Sequence, residues 1–190
     1  MSMAMGSAYT ALRINNDKTK GFLTRLLSMP MKRWVILGSH IVASTIFMLI
    51  SVLSVLLIGL VLGYRPQATI GDFLLFTLLI VLFAVSLTVL AIPFSLTAKD
   101  YAGAGAFSYI LIFLLFISPA FVPVAGMAKP VRLFAENQPM TPIIETTKNL
   151  LAGTFSFGSQ SSLLTLLWLA LLLSFFSFLS MKRYKQLFIN

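Results

Sequence analysis

Few residues in this sequence could carry out acid–base or metal chemistry. It has one histidine, His40, and no cysteine. Its five carboxylates are Asp17, Asp72, Asp100, Glu136 and Glu145. All five lie outside or at the ends of the long apolar segments, so no buried pair suggests an acid–base site or a proton relay. A lone imidazole without ligand partners is typical of a packing residue. The sequence therefore predicts no catalytic residue and no metal site.

The sequence also lacks a common nucleotide-binding pattern. No G-x-x-x-x-G-K-[ST] run occurs anywhere in the chain. The small-residue run from Ala102 to Ala106 is followed by Phe107 and Ser108 rather than by lysine, which excludes a phosphate loop there. Small side chains let helices approach each other closely, so this run predicts close helix packing instead.

The composition excludes an ordinary soluble domain. Hydrophobic residues make up 58% of the chain, charged residues only 10%, and the mean hydropathy is +0.96. The net charge of +9 could indicate nucleic acid as a partner, but most basic residues flank apolar runs instead of forming a soluble basic face. This arrangement is typical of a membrane protein, and we expect no nucleic-acid partner.

Four apolar segments are long enough to cross a bilayer. Each could cover much or all of the ~30 Å hydrocarbon core, and Pro93 predicts a kink in the second. The predicted spans are 37–63, 73–97, 101–122 and 162–181. With the segments that join them, they predict an all-α membrane protein that forms a single domain over residues 1–190.

The distribution of basic residues predicts the orientation of the spans, because cytoplasmic loops carry an excess of Lys and Arg. With four spans and both termini cytoplasmic, ten basic residues lie inside: Arg13, Lys18, Lys20, Arg25, Lys32, Arg33, Lys99, Lys182, Arg183 and Lys185. Only four lie outside: Arg65, Lys129, Arg132 and Lys148. The pattern favours a multi-pass protein of a plasma membrane.

The region 18–34 precedes the first span and predicts a short amphipathic helix. Its apolar stripe recurs at helical spacing and consists of Phe22, Leu23, Leu26 and Leu27. Asn16 or Asp17 is expected to cap the start, and Pro30 to end the helix at Met29. The stripe fits either an anchor on the membrane surface or a helix that docks on a soluble partner.

The loop 126–161, between the third and fourth spans, is long enough to need structure of its own. Thr141 is predicted to cap a helix of about ten residues with Pro142 at its first position. Glu145 is expected to pair with Lys148, and Gly153 to end the helix. So short a helix cannot span, so it would be re-entrant, or interfacial as a simple lid on the membrane surface.

Two stretches resemble the permease subunit of ABC-2-type exporters, in the branch of daunorubicin-resistance and multidrug-efflux permeases. The first is KGFLTRLLSMPMKRWVILGSHIVA, from Lys20 to Ala43. The second is FISPAFVPVAGMAKPVRLFAENQPMTPIIETTKNLLAG, from Phe116 to Gly153, with its AFVP, F-x-x-x-QP-x-TP and LLAG runs. With the spans between them, the resemblance covers nearly the whole chain from about Asp17 onward.

The resemblance implies a bacterial permease that exports amphiphilic compounds and pairs with a second permease subunit. Each permease would dock on an ATP-binding cassette subunit, which would bind the ATP and Mg and hydrolyse the ATP. The implied coupling helix would present Lys20, Phe22, Leu23, Arg25, Leu26, Leu27 and Pro30 to that partner. The implied outer gate would include Phe134, Gln138, Pro139, Thr141, Pro142, Glu145 and Gly153.

One departure from the family pattern keeps other functions open. Members have six membrane helices, whereas four are predicted here, and the first nine residues look like the inner end of the second family helix. We therefore expect a chain that lacks the first two helices. The alternatives are a truncated or accessory membrane protein without transport activity, and a permease for an ion, a polysaccharide or a peptide. A membrane enzyme is disfavoured because acids and histidines do not cluster.

Overall fold

The computed structural model describes residues 1–22, 25, 33–118, 121–122 and 126–186. The regular elements in these ranges are all helices, which confirms the all-α prediction. They are α1 (Ser2–Thr19), α2 (Arg33–Val61), α3 (Ile70–Thr97), α4 (Tyr101–Gly105), α5 (Phe107–Ile117), α6 (Lys129–Asn137), α7 (Met140–Leu151) and α8 (Gln160–Gln186).

Three helices are long and apolar enough to cross a membrane. They are the segments Val35–Val61 in α2, Ile70–Thr97 in α3 and Gln160–Arg183 in α8. The two ends of the bundle differ. The end that carries Lys18, Lys99 and Lys182 is called the basic end, and the end that carries the α2–α3 turn and the turn after α7 is called the loop end.

The predicted third span is shorter than expected. Residues 101–122 were predicted to form one helix, but α4 and α5 form an apolar stretch that ends at Ile117. At 1.5 Å per residue this stretch rises ~25 Å, less than the hydrocarbon core. Ser118 adopts an extended conformation (ψ 143°), because the residue before a proline is pushed out of the helical region.

The start predicted for the amphipathic helix is wrong. Asn16 and Asp17 do not cap a helix; they lie in the last turns of α1, which runs on to Thr19. The break comes at Gly21, whose φ of +70° suits the residue that follows a helix C-cap. Polar side chains of α1 are buried because they find hydrogen-bond partners: Thr10, for example, donates to Gly6 O at 2.9 Å.

Helix α3 forms the centre of the bundle and packs most extensively on α8 and α1. Its apolar side chains, with those of α5 and α7, form the main core. Helices α1 and α2 pack closely at Gly6, where an added Cβ would lie only 2.8 Å from Met48 Cγ. Ala104 is fully buried, and a Cβ on Gly105 would lie 3.4 Å from Leu12, so the small-residue run packs closely as predicted.

Pro93 lies inside α3, as predicted, and a neighbouring helix compensates for it. Proline has no N–H, so the carbonyl of Val89 loses its intrahelical donor. The hydroxyl of Ser180 in α8 donates to Val89 O at 3.0 Å, and this hydrogen bond is buried. A free carbonyl in hydrocarbon is costly, so this bond holds α8 against α3 at the proline.

Candidate functional site

The predicted docking residues are only partly described. Lys20 and Phe22 follow α1 and are exposed, Phe22 with 49% of its surface accessible. Arg25 is also exposed and helical, and its backbone N–H donates to Gly21 O at 3.0 Å. The remaining predicted contacts, Leu23, Leu26, Leu27 and Pro30, lie outside the described residues. The amphipathic helix therefore stays a prediction.

At the loop end, two helices stand where one was predicted. Helix α7 begins at Met140 with Pro139 at its N-cap position, so Thr141 and Pro142 lie within its first turn. The cap prediction for Thr141 is wrong because α7 begins one residue before it, and the Thr141 hydroxyl donates to a neighbouring helix. It lies 2.5 Å from the carbonyl oxygen of Ala135, near the end of α6, and joins the two helices instead.

The α6–α7 junction is tied to its neighbours by buried hydrogen bonds. Gln138, of which 3% is exposed, donates from Nε2 to Leu114 O of α5 at 2.6 Å. Thr141 Oγ1 lies 3.3 Å from Ser118 Oγ. On the other side, Trp168 of α8 donates from Nε1 to Asn137 O at 3.0 Å. The predicted gate residues Gln138, Pro139, Thr141 and Pro142 thus come together where four helices meet.

Other predicted gate residues lie apart from this junction. Phe134 has 51% of its surface exposed on α6. Glu145 and Lys148 are both exposed, and within the described ranges they form no ion pair, so that prediction is wrong. An exposed i,i+3 pair gains little from pairing, because water already solvates both charges. In the same ranges, no three His, Asp or Glu side chains group as a metal would require.

Gly153 ends α7 as predicted. Its φ is +68°, its N–H lies 3.4 Å from Leu150 O, and the N–H of Thr154 donates to Asn149 O at 3.0 Å. This pair of bonds is the Schellman arrangement. The exposed carbonyl of Leu151 accepts a bond from Gln67 N at 3.0 Å, so the α2–α3 turn is attached to the end of α7.

Two apolar cavities meet at the first residue of α7. One, of about 230 Å³, lies among α1, α2, α3, α5 and α7. The other, of about 210 Å³, lies among α3, α5 and α8. Both are lined by Leu87 and Met140. A long, flexible methionine is well suited to repack between two apolar spaces.

Sequence reasoning missed two polar residues at the basic end. Asn15 donates from Nδ2 to Ser95 O and Ala98 O, and Lys18 donates from Nζ to Leu96 O. The signal was present, since residues three apart share one face of a helix. It was overlooked because Lys18 was assigned to the docking stretch.

Comparison with known proteins decides the family. The ABC-2 type transporter family matches residues 1–151, well over half of the chain. The chain belongs to this family. It is the permease component of an ABC-2 type transporter, a multi-pass, non-catalytic membrane subunit.

A curated relative of this permease is the "Daunorubicin resistance ABC transporter permease protein DrrB1" of Streptomyces coeruleorubidus. The two are 23% identical over 186 residues, which cover 97% of this chain and 65% of the relative. The chain thus spans about two-thirds of that protein's length. No solved structure matches the permease.

Proposed function

We propose that this permease moves drugs or similar amphiphilic compounds out of the cell. The observation that carries this proposal is the pair of apolar cavities that share Met140. Each is smaller than the roughly 300–1,000 Å³ of a drug-sized site, so Met140, which lines both, would have to repack and join them to hold such a compound. The second lining is wholly apolar, and the first is mostly apolar with Lys148, Thr147 and Ser2 at its polar part, which favours amphiphilic cargo over ions. The relative is a daunorubicin-resistance permease, which points to the same class.

The energy source in this proposal is a separate subunit. Two permeases would pair, and each would dock on an ATP-binding cassette subunit that binds ATP and Mg. The docking segment, defined here as residues 20–30, would present its apolar stripe to a groove in that subunit. The basic end would then face the cytoplasm, in agreement with the excess of Lys and Arg there.

Replacing the apolar stripe tests the docking surface. In Leu26→Asp/Leu27→Asp, two carboxylates would have to be desolvated in the partner's groove, at a cost of several kcal/mol. We expect the variant to insert into membranes but to lose the co-purifying subunit, detected by photolabelling with a reactive ATP analogue. The matched control, Thr24→Asp, changes the opposite side of the predicted helix and should keep the subunit.

Transport is tested with daunorubicin in inverted membrane vesicles. ATP-dependent accumulation by the wild type, lost in Leu26→Asp/Leu27→Asp, is the expected result. Accumulation by vesicles that hold the permease without any ATP-binding subunit would refute the proposed division of labour. ATP-driven movement of a polysaccharide or an ion but not of daunorubicin would refute the cargo class.

A further inference from the structure

Two side chains of α1 hold the last turn of α3 at the basic end. Asn15 Nδ2 lies 3.1 Å from Ser95 O and 3.2 Å from Ala98 O. Lys18 Nζ lies 2.6 Å from Leu96 O and 3.4 Å from Ala98 O. We call this set of four contacts the carbonyl clamp.

The clamp satisfies groups that would otherwise lack partners. The last four carbonyls of a helix have no intrahelical donor, and the C-terminal end of the helix dipole favours a cation. Asn15 is almost fully buried, so its contacts are shielded from competing water. Within the described ranges, Lys18 pairs with no carboxylate, and these carbonyls are its acceptors.

The clamp joins the two places through which a movement would have to pass. Lys18 is next to Thr19, where α1 ends and the docking segment begins. Ala98 is the C-cap of α3, and Asp100, two residues later, accepts a bond from Gly103 N at 2.7 Å and so caps α4. A shift at the start of the docking segment therefore acts on the α3–α4 turn through four contacts of 2.6 to 3.4 Å.

The alternative route through α2 is poorly suited to carry the same movement. At the end of α1, α2 packs through Leu37 and Ile41 against the cluster of Ile14, Ile92 and Leu96. Its polar contact there, among the described residues, is His40 Nε2 to Asp17 Oδ2 at 3.8 Å, longer than a hydrogen bond. In the most apolar stretch of α2, 11% of the residues are buried, whereas 56% are buried in the most apolar stretch of α3. A displacement that enters α3 acts on the most buried of the long helices, which packs extensively on α1 and α8, whereas one that enters α2 acts on a helix that has few buried residues within this chain.

We propose that Asn15 and Lys18 are positioning residues that transmit displacement of the docking segment to α3 and thereby couple ATP hydrolysis to transport. This inference rests on the proposed function. It assigns the coupling route to α1 and its clamp rather than to the covalent connection into α2.

The test compares Lys18→Met, Asn15→Leu and the double variant with a matched control. Lys99→Met removes an exposed lysine at the same end that makes none of the clamp contacts. The readouts are co-purification of the ATP-binding subunit, the rate of ATP hydrolysis, and daunorubicin accumulated per ATP. We expect the clamp variants to keep the subunit and to lose at least about fivefold in transport per ATP, the lower range of coupling between sites. Lys18→Arg keeps a charged donor at this position and should therefore retain most of the transport per ATP.

Three outcomes would overturn the clamp. Transport per ATP in Lys18→Met equal to that in Lys99→Met would show that the contacts carry no coupling. An equal loss of hydrolysis and transport in the single variants, with unchanged transport per ATP, would show that they only support the fold. If no ATP-binding subunit co-purified with the wild type, the proposed function itself would be refuted. That readout differs from transport per ATP, so the two failures can be told apart.

Discussion

Gly153 combines a left-handed backbone with a close neighbour. Besides its φ of +68°, a Cβ at this position would lie 2.6 Å from the carbonyl oxygen of Gln67. That neighbour is backbone and cannot move aside without breaking the bond between Gln67 N and Leu151 O. The residue therefore sets how closely the α2–α3 turn approaches the end of α7.

Gly153→Ala should destabilise the protein. A side chain in the left-handed region costs about 1–2 kcal/mol, and the contact with Gln67 adds to this cost. The expected result is a lower Tm in detergent, measured by thermal unfolding. Gly158→Ala is the matched control, because Gly158 has no atom within 4 Å of its Cβ position and no positive φ. An unchanged Tm in Gly153→Ala would contradict this account.

Single residues were predictable where one local rule decides. Gly153 follows from helix-ending chemistry, and its position was correct. Thr141 followed an equally local rule and was wrong, because the chain enters α7 at Met140 and Pro139 takes the N-cap position. The contact of Gln138 with Leu114 O joins residues 24 positions apart, which no local pattern encodes.

At the scale of elements, the hydroxyl of Ser180 in α8 donates to the α3 carbonyl that Pro93 leaves without an intrahelical donor. The sequence predicts a kink at Pro93, but it does not indicate which side chain would take the free carbonyl of Val89. Ser180 is one of several serines in α8, and nothing in its local sequence sets it apart from Ser177. The pairing depends on how the two helices cross, and that is set by packing.

Ser180→Ala should leave Val89 O without its donor from α8 and cost about 1–3 kcal/mol of unfolding free energy. In a Pro93→Ala background the cost should be smaller, because the restored N–H of residue 93 can bond Val89 O. Equilibrium unfolding of the four members of this double-mutant cycle measures the difference. Ser177→Ala, at an exposed position, is the control. Equal costs in both backgrounds would show that Ser180 does not compensate for the proline.

Helix α1 shows why some elements escape sequence reasoning. Asn16 or Asp17 was predicted to cap the start of the next helix, because these residue types are favoured at helix N-caps. In the structure those residues continue the helix to Thr19, while Asn15 and Lys18 bond to carbonyls of α3. Burial of polar groups becomes acceptable once their partners are present, and the partners belong to another helix.

At the scale of the whole molecule, the positions of the long apolar helices along the chain were predictable from the sequence, because length and hydropathy alone identify them. The short third apolar segment was overestimated because Ser118 and the following proline end it early. The orientation across the bilayer remains a prediction from the excess of basic residues at the basic end.

Labelling with a membrane-impermeant maleimide tests that orientation, and the absence of cysteine removes any background. Thr154→Cys, exposed at the loop end, should react in intact cells. Lys99→Cys, exposed at the basic end, should react only after the membrane is opened. The reverse pattern would place the docking segment outside the cell and contradict the proposed function.

The bond between Ser180 and Val89 has a consequence for motion. If α8 slid along α3 by one turn, the carbonyl of Val89 would lose its hydrogen bond, and no water would be present in the hydrocarbon core to replace the Ser180 hydroxyl. Helices α3 and α8 should therefore move together as one rigid body during a transport cycle. Relative movement would then be confined to the helices around them, with α2, which has the smallest buried share of the three long apolar helices, the least restrained by contacts within this chain.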